Sequence, residues 1–426
     1  MKEIFVFITI ISVLVCYVHC QTLNNLYIYV DPSSTYNETL CGSSANISCP
    51  TIQDALNSYY SNNPQQNDTM VNIILAPGKY INTVDKANGA EIYHGTNVTI
   101  VSEFEDQPAE IMLNGRTFLF HDGMLNYAPF TSVNLTNINI NGGHDPRFTD
   151  PLLLFNGYAS PINVTLNRVN VYNSSSYTFM IEINNLDTNM TLYNQSYLTI
   201  TNSTFKNNAN VLSVLFIEGI TAFIDNCTFD NNTQFGAFNF PVSSITVTNS
   251  NFSNNQLATE LMFSADRVAQ LTMDNCVIVN NTDHATFEIC LMLFQNINFT
   301  MSNTLIINND VQNIMAHSNY DPPNVFNLIN VTVSGGLQTD QPFIDLVGGN
   351  MTFNNVHLLN GQRLLNCPLT CKLLSGEFSC PTKHQLPKHL GWIIAGSVLG
   401  FIFVAFMAFF IWRKVKMNRQ QYQSIQ

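Results

Sequence analysis

The sequence predicts an all-β ectodomain folded as a parallel β-helix, a solenoid with a short N-terminal cap helix, followed by one C-terminal transmembrane α-helix. Three observations predict it. A short unit built around asparagine recurs along the chain, apolar residues alternate with a period of two inside each unit, and an apolar run of spanning length stands near the C-terminus.

Taken in order, Met1-Lys2-Glu3 precede an apolar run from Ile4 to Val18 that ends in Val-His-Cys. A charged start, a short apolar stretch and a cleavage-like site make residues 1–20 a secretory signal peptide. The run is shorter than the roughly 20 residues a membrane-crossing helix needs. Residues 21–70 are the expected N-terminal cap region. Within it Cys41 and Cys49 flank a Gly/Ser/Asn loop, a plausible local disulfide in an oxidising compartment. Pro50 then stands at the first turn of a stripe formed by Ile52, Ala55, Leu56 and Tyr59, the spacing of an amphipathic helix.

Residues 71–366 carry the repeat, which opens with a strand and turn in VNIILAPGKY at 71–80. Its units read LTNINI at 135, ITNSTF at 200, IDNCTF at 224, VTNSNF at 247, MDNCVI at 273, MSNTLI at 301, LINVTV at 328 and FNNVHL at 353, often followed by Asn-Asn or Gly-Gly. The recurring residues are Asn137, Asn202, Asn226, Asn249, Asn275, Asn303, Asn330 and Asn355, with Arg168 in the same place in LNRVNV at 166. Two positions before each stand Leu135, Leu166, Ile200, Ile224, Val247, Met273, Met301, Leu328 and Phe353. Three positions after stand Ile140, Val171, Phe205, Phe229, Phe252, Ile278, Ile306, Val333 and Leu358. Stacked at about 4.8 Å per coil, these become continuous apolar ridges. The Asn between them is expected to turn its amide inward and hydrogen-bond to the next coil as a ladder. Cys227 and Cys276 follow ladder positions two coils apart, roughly 9.6 Å by strand spacing, so they read as small core residues and not as a bridge.

Residues 367–391 form a cysteine-containing cap and stalk, with Cys367, Cys371 and Cys380 as further disulfide candidates. Trp392 to Trp412 is an uncharged apolar segment followed at once by Arg413, Lys414, Lys416 and Arg419, a transmembrane helix with a cytoplasmic flank. Gly396 and Gly400 within it have the spacing that lets two helices approach closely. In the tail, 413–426, Tyr422-Gln423-Ser424-Ile425 fits the Tyr-x-x-apolar pattern that clathrin adaptors read.

The units together resemble the pectin-lyase-like superfamily, whose fold is the right-handed parallel β-helix, over roughly residues 26–366. The Asn-rich composition is similar to that of low-GC protists. The resemblance implies a helix over the open N-terminal end of the coil, matched by Cys49 to Leu56, and a groove along one face. Superfamily lyases hold calcium with clustered aspartates, and hydrolases use close carboxylates. Asn281-Thr282-Asp283 matches the first short motif of polygalacturonase-like hydrolases, but the Asp-Asp, Gly-His-Gly and Arg-x-Lys motifs do not follow.

Chemistry-bearing residues are therefore sparse. The densest ionic patch is His144, Asp145, Arg147 and Asp150, with Arg168 one coil on; these are weak catalytic candidates, read first as a solvated turn with Arg168 paired to a carboxylate. No metal spacing is present, and no cofactor is expected, calcium entering only for a lyase. Sixteen Lys+Arg against twenty-nine Asp+Glu leave the ectodomain near −17 once signal and tail are set aside, which argues against nucleic acid as a partner. N-glycosylation sequons stand at Asn37, Asn46, Asn67, Asn97, Asn134, Asn163, Asn173, Asn189, Asn194, Asn231, Asn251, Asn280, Asn298 and Asn350, and also at the ladder residues Asn202, Asn226 and Asn330. The inward ladder predicts no sugar on those last three.

The expectation is a cell-surface glycoprotein in the plasma or endolysosomal membrane, with its β-helix outside and its C-terminus in the cytoplasm. It would bind extracellular carbohydrate or a cell-surface protein without catalysis. Two other readings are a membrane-tethered polysaccharide lyase or hydrolase, and an endocytic receptor served by the tail. A groove where acids and bases converge would favour the enzyme. One lined by Asn, Tyr and Phe would favour binding.

Overall fold

Alternating apolar and polar residues bury every second side chain of a strand, and the repeat sets where each strand must bend. A computed structural model of the chain describes residues 24–375 apart from 37–40, 63–68, 82–89, 94, 123–129, 145–150, 157–160, 176–178, 185–194, 212, 242, 259–260, 265–268, 284–290, 296, 312–313, 318–324, 336–342, 348, 360–364 and 367–370. The segments expected to be signal, span and tail, with Cys367, Cys380, Gly396, Gly400, Tyr422 and Ile425, lie outside the described residues. Among the described residues no helix is long and apolar enough to cross a membrane.

The strands stack in parallel, coil upon coil, into one 26-stranded and one 11-stranded sheet, a parallel β-helix. The Asn202 coil shows the plan. A long strand, Tyr197–Thr201, bends at Asn202 into a short strand, Thr204–Lys206. That strand bends at Asn207-Asn208 into Ala209–Val211, and Ser213–Glu218 then joins the second sheet before the next coil starts at Thr221. The stacked equivalents of Tyr197–Thr201 are called the long face, and those of Thr204–Lys206 the short face.

The core is where the repeat puts it. Leu166, Ile200, Ile224, Val247, Met273, Met301 and Leu328 are fully buried beneath the long face. Beneath the short face Phe205, Phe229 and Phe252 stack with ring centroids 5.0 and 4.8 Å apart and planes within 5° and 4° of parallel. Such pairs add about 0.5–1.5 kcal/mol beyond burial. The ridge frays at its end, where Leu358 is only half-buried.

Both ends differ from the sequence reading. The first strand is Asn24–Val30, not the segment at 71–80: it pairs with Thr69–Leu75 in register from Asn24↔Thr69 to Val30↔Leu75. Ile28 and Val30 supply its inward face, an alternation that lacks the asparagine signature. The helix Ile52–Asn62 buries Ile52, Ala55, Leu56 and Tyr59, and Thr51 caps it by accepting the Asp54 N–H at 3.0 Å. A disulfide joins Cys41 to Cys49. At the other end Cys371 lies in the strand Cys371–Ser375, which pairs with Gly349–Asn354, so coiling continues into the segment assigned to a cap.

The larger correction concerns the asparagine ladder. Asn137, Asn202, Asn226, Asn249, Asn275, Asn303, Asn330 and Asn355 all sit at positive φ, between 49° and 57°, as does Arg168. Asparagine tolerates this left-handed bend because its short amide hydrogen-bonds locally. The bend turns the side chain out, not in. Asn202, Asn226 and Asn330 are exposed, so an inward amide cannot be what keeps sugar from their sequons. The outward amides still stack: Asn226 Nδ2 donates to Asn202 Oδ1 at 2.8 Å, Asn275 to Asn249 at 2.7 Å and Asn355 to Asn330 at 2.9 Å.

The inward ladder is made by the second residue of each Asn-Asn pair. Asn208, Asn232, Asn255, Asn281 and Asn309 are buried, and each of the first four donates from Nδ2 to the Oδ1 of the next at 2.8–3.0 Å. Each Nδ2 also reaches a carbonyl of the preceding coil, as Asn255 does to Phe229 O at 3.0 Å. Each Oδ1 accepts a backbone N–H as well, as from Asn232 N to Asn255 at 3.2 Å. The bend's buried backbone is thereby satisfied at every coil.

Candidate functional site

On the long face the outward positions form three rows running along the helix axis. In register, the middle row reads Thr165, Thr199, Phe223, Thr246, Thr272 and Thr300. The first row reads Asn163, Tyr197, Thr221, Ser244, Gln270 and Asn298. Hydroxyls and amides thus cover these two rows, with two departures. Tyr197 and Phe223 stand where neighbouring coils carry Asn or Thr, and they are 46% and 42% exposed. Since Tyr197 pairs with Thr221, two residues before Phe223, the rings are diagonal neighbours, about 7–8 Å apart at the backbone.

The third row carries the face's carboxylates, Asp225 and Asp274. Their Oδ1 atoms are occupied. Asp225 accepts from Thr248 Oγ1 at 2.6 Å and Asn249 Nδ2 at 2.7 Å, and Asp274 from Ser302 Oγ at 2.6 Å and Asn303 Nδ2 at 2.7 Å. The bonds from Ser302 and then Asn303 hold the Asp274 carboxyl below its ordinary value. These aspartates replace an Asn oxygen in the outward stack. Outward positions of the long face from Asn163 to Ser302 carry no lysine or arginine among the described residues.

A second polar group occupies the short face of the early coils. Glu110 accepts from Tyr172 OH at 2.7 Å and lies 3.3 Å from Lys79 Nζ. The Tyr172 bond, the largest cause, keeps Glu110 below its ordinary value, while burial and then Glu110 itself push Tyr172 up to about 12. Neither group exchanges its proton near neutral pH, where a general acid or base works best.

Of the ionic patch expected from the sequence, only Arg168 and the backbone of His144 fall among the described residues. Arg168 sits on its bend and pairs with Glu105 at an exposed position. His144 ends the strand Thr131–His144, where its backbone pairs with Ser175, beyond a second bend from Arg168. Asp145, Arg147 and Asp150 lie outside the described residues. Asn281, the first residue of the hydrolase-like triplet, is a rung of the buried ladder. Cys227 and Cys276 are free and buried, and burial pushes both thiols up to about 11, which leaves them unreactive. What the sequence reading missed, the aromatic pair, had a signal: each ring departs from the Thr/Asn pattern once the coils are aligned on their ladder asparagines.

No protein-family model matches the chain, and none of the curated proteins does. Solved structures do. The catalytic domain of a GH87 α-1,3-glucanase in complex with nigerose is 12% identical, over 85% of this chain and 69% of that one, with a TM-score of 0.43. The alginate lyase from Paenibacillus sp. str. FPU-7 is 11% identical, over 74% and 96%, with a TM-score of 0.32. The Streptococcus pneumoniae surface protein and adhesin PfbA is 12% identical, over 75% and 95%, with a TM-score of 0.31. Two of the three are named as enzymes and one as an adhesin.

Proposed function

We propose that this chain is a membrane-tethered surface glycoprotein whose β-helix binds carbohydrate on its long face. One observation carries the reading: exposed Tyr197 and Phe223 stand diagonally on two rows otherwise made of hydroxyls and amides. A pyranose ring has an apolar C–H face that stacks on an aromatic ring and a rim of hydroxyls that exchange hydrogen bonds with amide and hydroxyl side chains. The fixed carboxylates and the proton-holding Glu110–Tyr172 pair suit binding better than turnover. The apolar segment 392–412 with its basic flank, the signal-like start and the sequons support a tether and a glycosylated exterior.

The test is full-length glycosylated protein in detergent against a polysaccharide panel, with and without calcium, scored for retention and for new reducing or unsaturated ends. Retention of at least one polysaccharide with no new ends is expected. New ends would make the chain a lyase or hydrolase, and retention of none would remove the carbohydrate reading.

A further inference from the structure

The first row of the long face separates its asparagines in an unexpected way. In register along the axis it runs Asn97, Ser132, Asn163, then Tyr197, Thr221, Ser244, Gln270, then Asn298, Val325, Asn350. From Asn97 onward each asparagine of this row, Asn97, Asn163, Asn298 and Asn350, begins a sequon. The four coils between Asn163 and Asn298 have none there. A sequon in the adjacent row, Asn134, also falls before the gap, paired with Thr165 one coil before Thr199. The aromatic pair lies inside it.

From Asn163 to Asn298 is five coil steps, about 24 Å at 4.8 Å per step. That opening is long enough for several sugars of an extended chain and narrow enough for flanking N-glycans to limit what enters from either end. The sequons at Asn202 and Asn226 do not stand in this row. They sit at the bend beyond it, where Asn202 Nδ2 is 3.2 Å from Asn167 Oδ1 and Asn226 Nδ2 is 2.8 Å from Asn202 Oδ1.

Charge narrows the occupant. Within the opening the first two rows are uncharged, the third alternates Thr201 and Thr248 with the carboxylates of Asp225 and Asp274, and among the described residues no lysine or arginine stands on these rows to meet an acidic sugar. An acidic polysaccharide brought to the aspartate row of a protein near −13 overall would be repelled, whereas a neutral one finds hydrogen-bonding side chains at every coil and rings to stack on at the Tyr197 and Phe223 coils.

We propose that this four-coil opening binds a neutral, extended glycan lying along the helix axis, and that the chain's own N-glycans at Asn97, Asn134, Asn163, Asn298 and Asn350 frame the site. This rests on the carbohydrate reading above and specifies its ligand and position. Sugar added inside the frame should act as a wedge.

The experiment builds one. Thr246→Asn makes a new sequon with Thr248, and Ser244→Asn makes one with Thr246; Thr246→Gln supplies an amide with no sequon. Full-length proteins, with glycosylation of each new site confirmed by glycopeptide mapping, are compared for binding to neutral and acidic polysaccharides. Expected is at least a tenfold loss of neutral-glycan binding in both wedge variants, a loss in Thr246→Gln at least fivefold smaller than in Thr246→Asn, and mapped sugar on Asn163 and Asn298. Unchanged binding with the wedge sugar in place would overturn the opening while leaving carbohydrate binding intact. Preference for acidic glycans, or bare Asn163 and Asn298, would overturn the neutral or the framed part of the proposal. Failure of the unmodified protein to bind any glycan would remove the carbohydrate reading, and this one with it.

Discussion

Between Asn202 and Asn309 both bends of each coil carry asparagine, and two amide stacks, one outward and one buried, run from coil to coil beside a column of stacked phenylalanines. The coils before Asn202 are joined differently. There Tyr80 OH donates to Val30 O at 3.0 Å and Ala76 O at 2.8 Å, Tyr172 reaches Glu110, and Arg168 reaches Glu105. The middle repeats one local solution, so each rung depends on its neighbours. The beginning uses single long-range ties, each different. Repetition makes the middle legible and its stability nearly one-dimensional. The early coils depend more on particular side chains and on the cap helix that covers them.

Breaking a rung should therefore do the most damage. Asn255→Leu leaves the Asn232 backbone N–H without its partner and removes the bonds that Asn255 makes with Asn232 Nδ2 and the Phe229 carbonyl at a buried site. The expected loss is about 3–5 kcal/mol. Hydrogen exchange should rise in the coils on either side and stay low around Val71 and Ile100. Equal opening along the whole solenoid would contradict the nearest-neighbour account. Tyr80→Phe tests the opposite end with a smaller change. It removes one hydroxyl that serves two carbonyls and should cost about 1–2 kcal/mol, with exchange rising near Val30 and Ala76.

The ties also differ in their response to pH. Tyr172 is held up to about 12 from an ordinary 10, so its protonated form contributes stability that is complete below pH 10 and lost as pH rises toward 12. Thermal melts from pH 9 to 12 should show a shallower decline for Tyr172→Phe than for the unmodified chain. Parallel declines would mean that the Glu110 bond does not couple to folding. The mildest test converts the one odd bend to the common form. Arg168→Asn removes an exposed ion pair worth little and places asparagine at a φ of 54°, beside Asn202. The net effect expected is zero to about 1 kcal/mol of added stability in chemical denaturation.

These comparisons show what could be read in the sequence. Ridge residues such as Ile224 and Phe229 were legible because a period of two admits one buried face. Which asparagine faces inward was not, because Asn202 and Asn208 both sit at bends in similar context and only backbone geometry tells them apart. The doubled Asn-Asn was the available sign. Asn24–Val30 escaped because its two neighbouring tyrosines, Tyr27 and Tyr29, interrupt no recognisable repeat. The aromatic pair escaped for the reverse reason, since Tyr197 and Phe223 look like ordinary strand residues until coils are aligned in register. Arg168 was conspicuous in sequence yet serves its bend.

The most direct test is to restore the repeat at the aromatic pair. Tyr197→Thr with Phe223→Thr gives both positions the residue common on this face and leaves the core untouched. Polysaccharide binding and the melting temperature of the full-length protein are measured together. At least a tenfold loss of binding, about 1.4 kcal/mol, with an unchanged melting temperature is the predicted result. Undiminished binding by the folded double variant would contradict a long face that recognises carbohydrate through these two rings.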